Sequence, residues 1–235
     1  MLYIVATPIG NLEDITLRAL RTLKEVDYIA AEDTRHSKIL LDKYEIRKPT
    51  ISFHAWSDER KLQELLQLLQ QGKNIALISD AGTPGISDPG YVLIKAALEN
   101  NIPVVPIPGP SAFLTALSAS GLPINQFIYI GFLPIKKGRQ TLFKSFAEEK
   151  RTIVFYESPH RLLKTLSELS RDFPERPLVI ARELTKIHEE FFRGTVAQSL
   201  EYFQKKQPKG EFVLMLGPDL RGSGFEHTHL SRSNF

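Results

Sequence analysis

Residues Ser79–Gly90 read SDAGTPGISDPG and follow the apolar run Asn74–Ile78, NIALI; three glycines, two prolines and two aspartates crowd into twelve positions. A continuous apolar run of that length suits a strand buried on both faces, and a glycine- and proline-rich stretch directly after it suits a stiff loop at the strand's carboxyl end. Two further segments share this form. Ala6–Asn11 (ATPIGN) follows the run Leu2–Ala6, and Pro106–Ala112 (PIPGPSA) follows Ile102–Val105. In open α/β sheets ligands bind in the crevice outside the carboxyl ends of the strands, so the three loops are expected to converge on one site. Glycine permits close backbone approach and proline holds a loop rigid, so backbone groups should do most of the gripping there.

Outward from these loops, the first half alternates strands with helices. A helix with Leu17, Leu20 and Leu23 at spacing three follows the first strand, and Asp27–Glu32 is the second strand. Asp33 or Thr34 caps the next helix, and Ser57 or Asp58 caps a clearer one that carries Leu62, Leu65, Leu66 and Leu69 and stops at Gly72. A further helix is expected around Tyr91–Glu99. The pattern predicts a mostly parallel sheet wrapped by helices.

The second half offers five strands: Phe127–Phe132, Thr152–Tyr156, Leu178–Glu183, Glu189–Val196 and Glu211–Leu216. Helices are expected near Gln140–Glu149, Arg161–Arg171 and Val196–Lys205. Arg193–Thr195 (RGT) resembles a turn, so the third and fourth strands are expected to pair antiparallel. The organisation predicted is an N-terminal α/β domain over residues 1–120 and an α+β domain with a mixed sheet over 121–220. The remainder, 221–235, is aperiodic from Gly222 and expected to be disordered or a cloning remnant.

Composition narrows the class. The chain has 235 residues, 42% hydrophobic and 24% charged, with no cysteine, which excludes disulfides and thiolate metal sites and suits a reducing compartment. No apolar run approaches the length of a bilayer span, and the N-terminus lacks a basic segment and cleavage site, so a cytoplasmic protein with no membrane partner is expected. Net charge is only +3, but Phe132–Lys164 holds eight lysines and arginines against three acids. Such a local excess marks contact with a polyanion such as RNA, or a solvated basic helix face.

Common site motifs are missing. The first loop has one glycine where a dinucleotide fold needs G-x-G-x-x-G, and no Walker A sequence occurs. Neither GPSAF nor GISDPG forms the G-x-S-x-G elbow, and His188–Phe192 (HEEFF) has Phe192 where a zinc-binding second histidine would stand. No metal site is expected.

Six segments together resemble a known family: Val5–Leu20 (VATPIGNLEDITLRAL), Ala31–Ser37 (AEDTRHS), Ser79–Gly90, Pro108–Ala112 (PGPSA), Gly131–Pro134 (GFLP) and Phe155–Arg161 (FYESPHR). In order, from about Leu2 to Pro218, they resemble the tetrapyrrole-methylase superfamily, specifically its bacterial branch that methylates the ribose 2′-hydroxyl of a cytidine in small-subunit ribosomal RNA. The resemblance implies two α/β domains with S-adenosylmethionine in the cleft between them, usually as a homodimer, acting on ribosomal RNA either naked or in the assembled subunit. Many members carry a further C-terminal helical segment, whereas this sequence stops soon after Leu214–Pro218, so no RNA contact from such a segment is implied.

Residue by residue, the resemblance places Pro8 near the cofactor. It sets Ile78, Ser79, Asp80 and Thr83 at the methionine end and ribose, and Ser111 and Ala112 at the adenosine. Tyr156 or Glu157, with Leu184 and Thr185, would close the site from the second domain. Methyl transfer to a hydroxyl is an in-line displacement in which positioning supplies most of the catalysis and a nearby base assists. Candidate bases are Glu32, Asp33, Asp88, Glu157 and Glu183 with Lys186; Glu32, Asp33 and Arg35 form the preferred polar cluster. Asp33 also suits a helix cap, Asp88 a turn, and His36 and His160 surface or capping positions. For RNA, Lys136, Lys137 and Arg139 are expected on phosphates, extended by Arg161, with Phe53, His54 and Trp56 as stacking candidates. The rival functions are a small-molecule tetrapyrrole methylase and a non-catalytic RNA-binding assembly module.

Overall fold

The computed structural model describes residues 1–54, 59–88 and 90–219. Trp56, both candidate caps Ser57 and Asp58, Pro89 and the aperiodic tail lie outside the described residues. The chain forms two compact units. One contains Met1–Thr115 with Glu183–Glu189, and the other contains Ala116–Arg182 with the chain from Glu190 onward.

The first unit is built on five parallel strands, β1 (Leu2–Val5), β2 (Tyr28–Ala31), β3 (Thr50–Ser52), β4 (Ile75–Ile78) and β5 (Val104–Ile107), in the order β3-β2-β4-β1-β5. Leu2 sits opposite both Ile75 and Val104, and Tyr28 opposite Ile75. Helices α1 (Leu17–Glu25), α2 (Thr34–Lys43), α3 (Glu59–Gln70), α4 (Gly90–Glu99) and α5 (Ala112–Ser118) follow the strands in turn. Alternate strand residues divide between two apolar cores. Val5, Ile29, Ala31, Ala76 and Ile78 join Leu23 and Leu40, while Leu2, Ile4, Ala30, Ile75 and Leu77 join Leu65 and Leu93. Burial on both faces explains why these strands read as unbroken apolar runs. Thr16 caps α1 by accepting from the Ala19 amide, and Asp33 rather than Thr34 caps α2 by accepting from the Arg35 amide. Two elements carried no periodic signal in the sequence: the 3-10 turn Leu12–Asp14 and α5, which opens inside the PIPGPSA stretch.

The second unit has a mixed sheet of β6 (Phe127–Phe132), β7 (Thr152–Glu157), β8 (Pro177–Arg182), β9 (Glu190–Thr195) and β10 (Phe212–Leu216), ordered β6-β7-β10-β8-β9. Only β6 and β7 pair in parallel. Helices α6 (Arg139–Phe146), α7 (Pro159–Asp172) and α8 (Val196–Gln204) share one core with Ile153, Phe155, Ile180 and Leu214. Helix α7 begins two residues earlier than its apolar spacing suggests because Pro159 occupies the first turn, where its missing N–H costs nothing. Strands β8 and β9 are antiparallel as expected, but the turn is elsewhere. Arg193–Thr195 lies within β9, and Thr195 forms a capping box with Gln198 at the start of α8. The connection is the segment 183–189, which packs with the first unit.

Candidate functional site

At the carboxyl ends of the parallel strands, the loops of the first unit are stitched together by backbone groups. Thr7 and Gly82 exchange both amide hydrogen bonds, at 2.8 and 3.0 Å, and Thr7 Oγ1 donates to the Ser79 carbonyl at 3.0 Å. Thr83 Oγ1 donates to the Pro110 carbonyl at 3.1 Å. Gly109 passes so close to β1 that a Cβ there would lie 2.9 Å from the Ala6 Cβ. Gly82 has φ +83° and Gly85 +85°, values glycine adopts without steric penalty. The loops after β1, β4 and β5 therefore form one surface. Pro8, Ser79, Asp80, Thr83, Ser111 and Ala112 all belong to it, whereas the Ile78 side chain is sunk in the core.

The segment 183–189 joins this surface at Gly10. A Cβ on Gly10 would fall 2.8 Å from Thr185 Oγ1 and 2.9 Å from the Leu184 carbonyl, so only a bare backbone allows the approach. Glu183 and Thr185 hold φ of +51° and +65°, a conformation that costs a non-glycine residue energy and clusters at functional sites. Glu183 pairs with Lys186 at 3.0 Å, and the Thr185 amide donates to Glu189. Thr185 Oγ1 is buried with no hydrogen-bond partner. A buried orphan hydroxyl is costly unless something else satisfies it.

Three carboxylates gather beside Ser79. The Asp33 amide donates to Asp80 Oδ1 at 3.0 Å, and the Asp80 amide reaches Glu32 at 3.5 Å. Burial pushes the Asp88 carboxyl up to about 6, the Glu32 charge adds to this, the Ser79 hydroxyl opposes it and Asp80 contributes further. Glu32 is also raised, chiefly by burial and then by the Asp80 charge, against a backbone hydrogen bond that lowers it. Asp33 behaves oppositely. Arg35 holds it at about 2 by side-chain and then backbone hydrogen bonds, and that ion pair stands in solvent. The expected Glu32–Asp33–Arg35 cluster thus separates into a helix cap with its arginine and a carboxylate, Glu32, whose neighbours are Asp80 and Asp88. A carboxyl held at about 2 is a weak base.

In the second unit, Glu157 is buried and fully engaged. It accepts from Thr165 Oγ1 at 2.6 Å and the Ser158 amide at 2.9 Å, and pairs with Arg161 at 2.8 Å. Arg139 corrects the expectation of a phosphate contact: it is only 6% exposed. Its guanidinium donates to Thr165 Oγ1, Glu168 and the Pro134 carbonyl, and lies over the Phe143 ring. Arg161, half-buried, donates to the Leu133 carbonyl at 3.1 Å. Both arginines brace the loop 133–138, on which Lys136 and Lys137 are exposed. Phe53 is buried in the first unit's core and is thereby removed as a stacking platform, while His54, His36 and His160 are exposed. Thr7, Gly10 and Thr165 were missed in the sequence. Only Thr165 left a signal, its placement four residues after Arg161 and three before Glu168 on one face of α7. Among the described residues no group of three or more His, Asp or Glu is arranged to hold a metal ion.

A model of the tetrapyrrole (corrin/porphyrin) methylases matches residues 1–199. The chain belongs to this methylase family. It is 52% identical over 215 residues, 92% of its own length and 97% of the relative's, to the Thermotoga maritima protein named ribosomal RNA small subunit methyltransferase I. A Synechocystis protein of the same name is 55% identical over 218 residues, 92% of this chain and 78% of that one. Among solved structures, the methylase resembles uroporphyrin-III C-methyltransferase of Thermus thermophilus complexed with S-adenyl homocysteine, with TM-score 0.65 and 22% identity over 92% and 96% of the two chains. A diphthine synthase matches with TM-score 0.70 at 12% identity, over 92% and 89%. At such identities these structures speak to the fold, which is that of the two-unit methylases.

Proposed function

We propose that this methylase transfers the methyl group of S-adenosylmethionine to ribosomal RNA of the small subunit, at a cytidine ribose 2′-hydroxyl. The observation that carries the reading is the pairing of a methylase family match over residues 1–199 with about half of the residues shared with relatives named ribosomal RNA small subunit methyltransferase I. The surface around Ser79–Gly90 fits the cofactor. Carboxylates suit a ligand that is cationic and carries hydroxyls, and Thr185 Oγ1 awaits a partner. Pro8, Ser79, Asp80, Thr83, Ser111, Ala112, Leu184 and Thr185 would hold it, with the Ile78 main chain. Bound there, S-adenosylmethionine supplies an electrophilic methyl on a sulfonium.

The chain's own residues do the rest. Glycines 82 and 85 bring backbone close, Thr7 and Thr83 lock the loops to one another, and Glu32 or Asp88 accepts the proton that leaves the ribose hydroxyl. A carboxylate tuned upward is a better base than Asp33. The same reading has the enzyme act in the cytoplasm as a homodimer, on small-subunit RNA either naked or in the assembled subunit. Among the described residues no helix is long and apolar enough to cross a membrane.

The test is transfer of labelled methyl from S-adenosylmethionine to purified small subunits and to naked RNA, followed by nuclease digestion. Label on a cytidine ribose supports the reading. Label on a base, or transfer to a tetrapyrrole instead, overturns it.

A further inference from the structure

A strand sends successive side chains to opposite faces of its sheet. Strand β6 keeps register with β7 through Tyr129↔Val154, then resumes one residue late at Phe132↔Tyr156. Ile130 packs against the helix-covered core, and unbroken alternation would send Phe132 to that core as well. The extra residue falls beside Gly131, whose φ of +65° glycine tolerates. This bulge turns Phe132 onto the face that carries Tyr129 and Tyr156. Leu133 then resumes the alternation and is buried in the core.

Three rings therefore meet on one face. Tyr156 touches Tyr129 edge-on, centroids 5.5 Å apart at 75°, and Phe132 at 5.4 Å and 57°. Phe132 remains 55% exposed although a core lies on the other side of its own sheet. Bulges recur next to active sites, where they re-aim a side chain. Immediately beyond is the braced loop 133–138, with Ile135 exposed and Lys136 and Lys137 in solvent. A π-face next to two cations suits a ligand with a planar apolar part and an adjacent negative charge. Single-stranded RNA has both, and the surrounding charge excess of Phe132–Lys164 has the matching sign.

We propose that Phe132, backed by Tyr156 and Tyr129, is the platform on which an unstacked base of the substrate RNA rests, while Lys136 and Lys137 hold neighbouring phosphates. This rests on the RNA methyltransferase reading above and adds to it the group that receives a base. The bulge at Gly131 is what presents the ring.

The test uses Phe132→Ala, Phe132→Leu and Phe132→Tyr in the full chain, with affinity measured by anisotropy on a short fluorescein-labelled, cytidine-containing single-stranded RNA. Loss of one base-stacking contact weakens binding by about tenfold. Alanine and leucine are expected to show that loss, and tyrosine to restore affinity. Leucine keeps the apolar volume, so its loss with an unchanged melting temperature separates stacking from misfolding. Affinity for S-adenosylmethionine, by calorimetry, and sedimentation behaviour should not move. Unchanged RNA affinity in Phe132→Ala overturns the proposal. So does loss of cofactor affinity, which would assign the ring to adenine, or a change of oligomeric state with RNA binding intact, which would assign it to a second copy. If the wild-type chain binds no single-stranded RNA, the platform falls before any variant is made, while the methyltransferase reading is decided separately by labelled-methyl transfer to purified small subunits.

Discussion

Asp88 shows how one side chain couples stability to chemistry. Its folded pKa, about 6, lies above its ordinary value, so the folded chain holds the proton more tightly than the unfolded one. Between pH ~4 and ~6 its contribution to stability therefore declines as pH rises. Asp88→Asn is expected to raise stability at neutral pH by roughly 1 kcal/mol, discounted for the group's partial exposure. If Asp88 is the base, the same variant lowers kcat at least tenfold and flattens a pH–rate profile that in the wild type rises through about pH 6. Full activity in Asp88→Asn transfers the role to Glu32. Asp33 carries the opposite sign: held at about 2 by Arg35, it stabilises the fold above pH ~4 and loses that contribution as pH falls toward 2. Gly10 is the second sensitive position. Gly10→Ala drives a Cβ against the Leu184 carbonyl and Thr185 Oγ1. Overpacking of this kind costs about 1–3 kcal/mol, and cofactor affinity, read by calorimetry, should fall further than the melting temperature alone suggests.

At the scale of elements, the loop 133–138 and the helices that brace it divide their cations by task. Arg139 and Arg161 hold carbonyls of the loop and carboxylates of α7 and β7, whereas Lys136 and Lys137 face water. Removing one partner of a buried, hydrogen-bonded ion pair costs about 3–5 kcal/mol. Arg139→Ala and Glu157→Ala should thus lower the melting temperature strongly. Charge reversal at Lys136 and Lys137 should leave melting unchanged, weaken RNA binding and flatten its salt dependence. This division was hidden in the sequence, because an arginine two residues from two lysines reads as part of one basic patch. Only the placement of Thr165 and Glu168 under the loop separates it. The parallel strands were legible for the converse reason: burial on both faces leaves an unbroken apolar run that composition alone exposes. Arg193–Thr195 misled because a glycine in a strand's last turn before a capping box has the same local chemistry as a hairpin turn. The bulge at Gly131 went unread, although an isolated glycine inside a strand pattern such as Phe127–Phe132 is the usual mark of one.

For the whole molecule, the family and the positions of the glycine loops were readable from six segments, while the roles of individual polar residues were not. Motifs record which backbone shapes recur; whether a carboxylate is a cap, a buried strut or a base depends on neighbours far apart in the chain, as Glu32, Asp80 and Asp88 are. The Ser79–Gly90 loop gains its meaning only with Thr7 bonded to Gly82 and Thr83 to Pro110. The central claim is that this chain methylates a cytidine ribose in small-subunit ribosomal RNA. Ribose-methylation mapping of ribosomal RNA from cells with and without the protein tests it most directly. The account predicts one cytidine 2′-O-methyl mark in small-subunit RNA that vanishes with the protein and returns with the wild-type chain; an unchanged map of ribose methylation would contradict it.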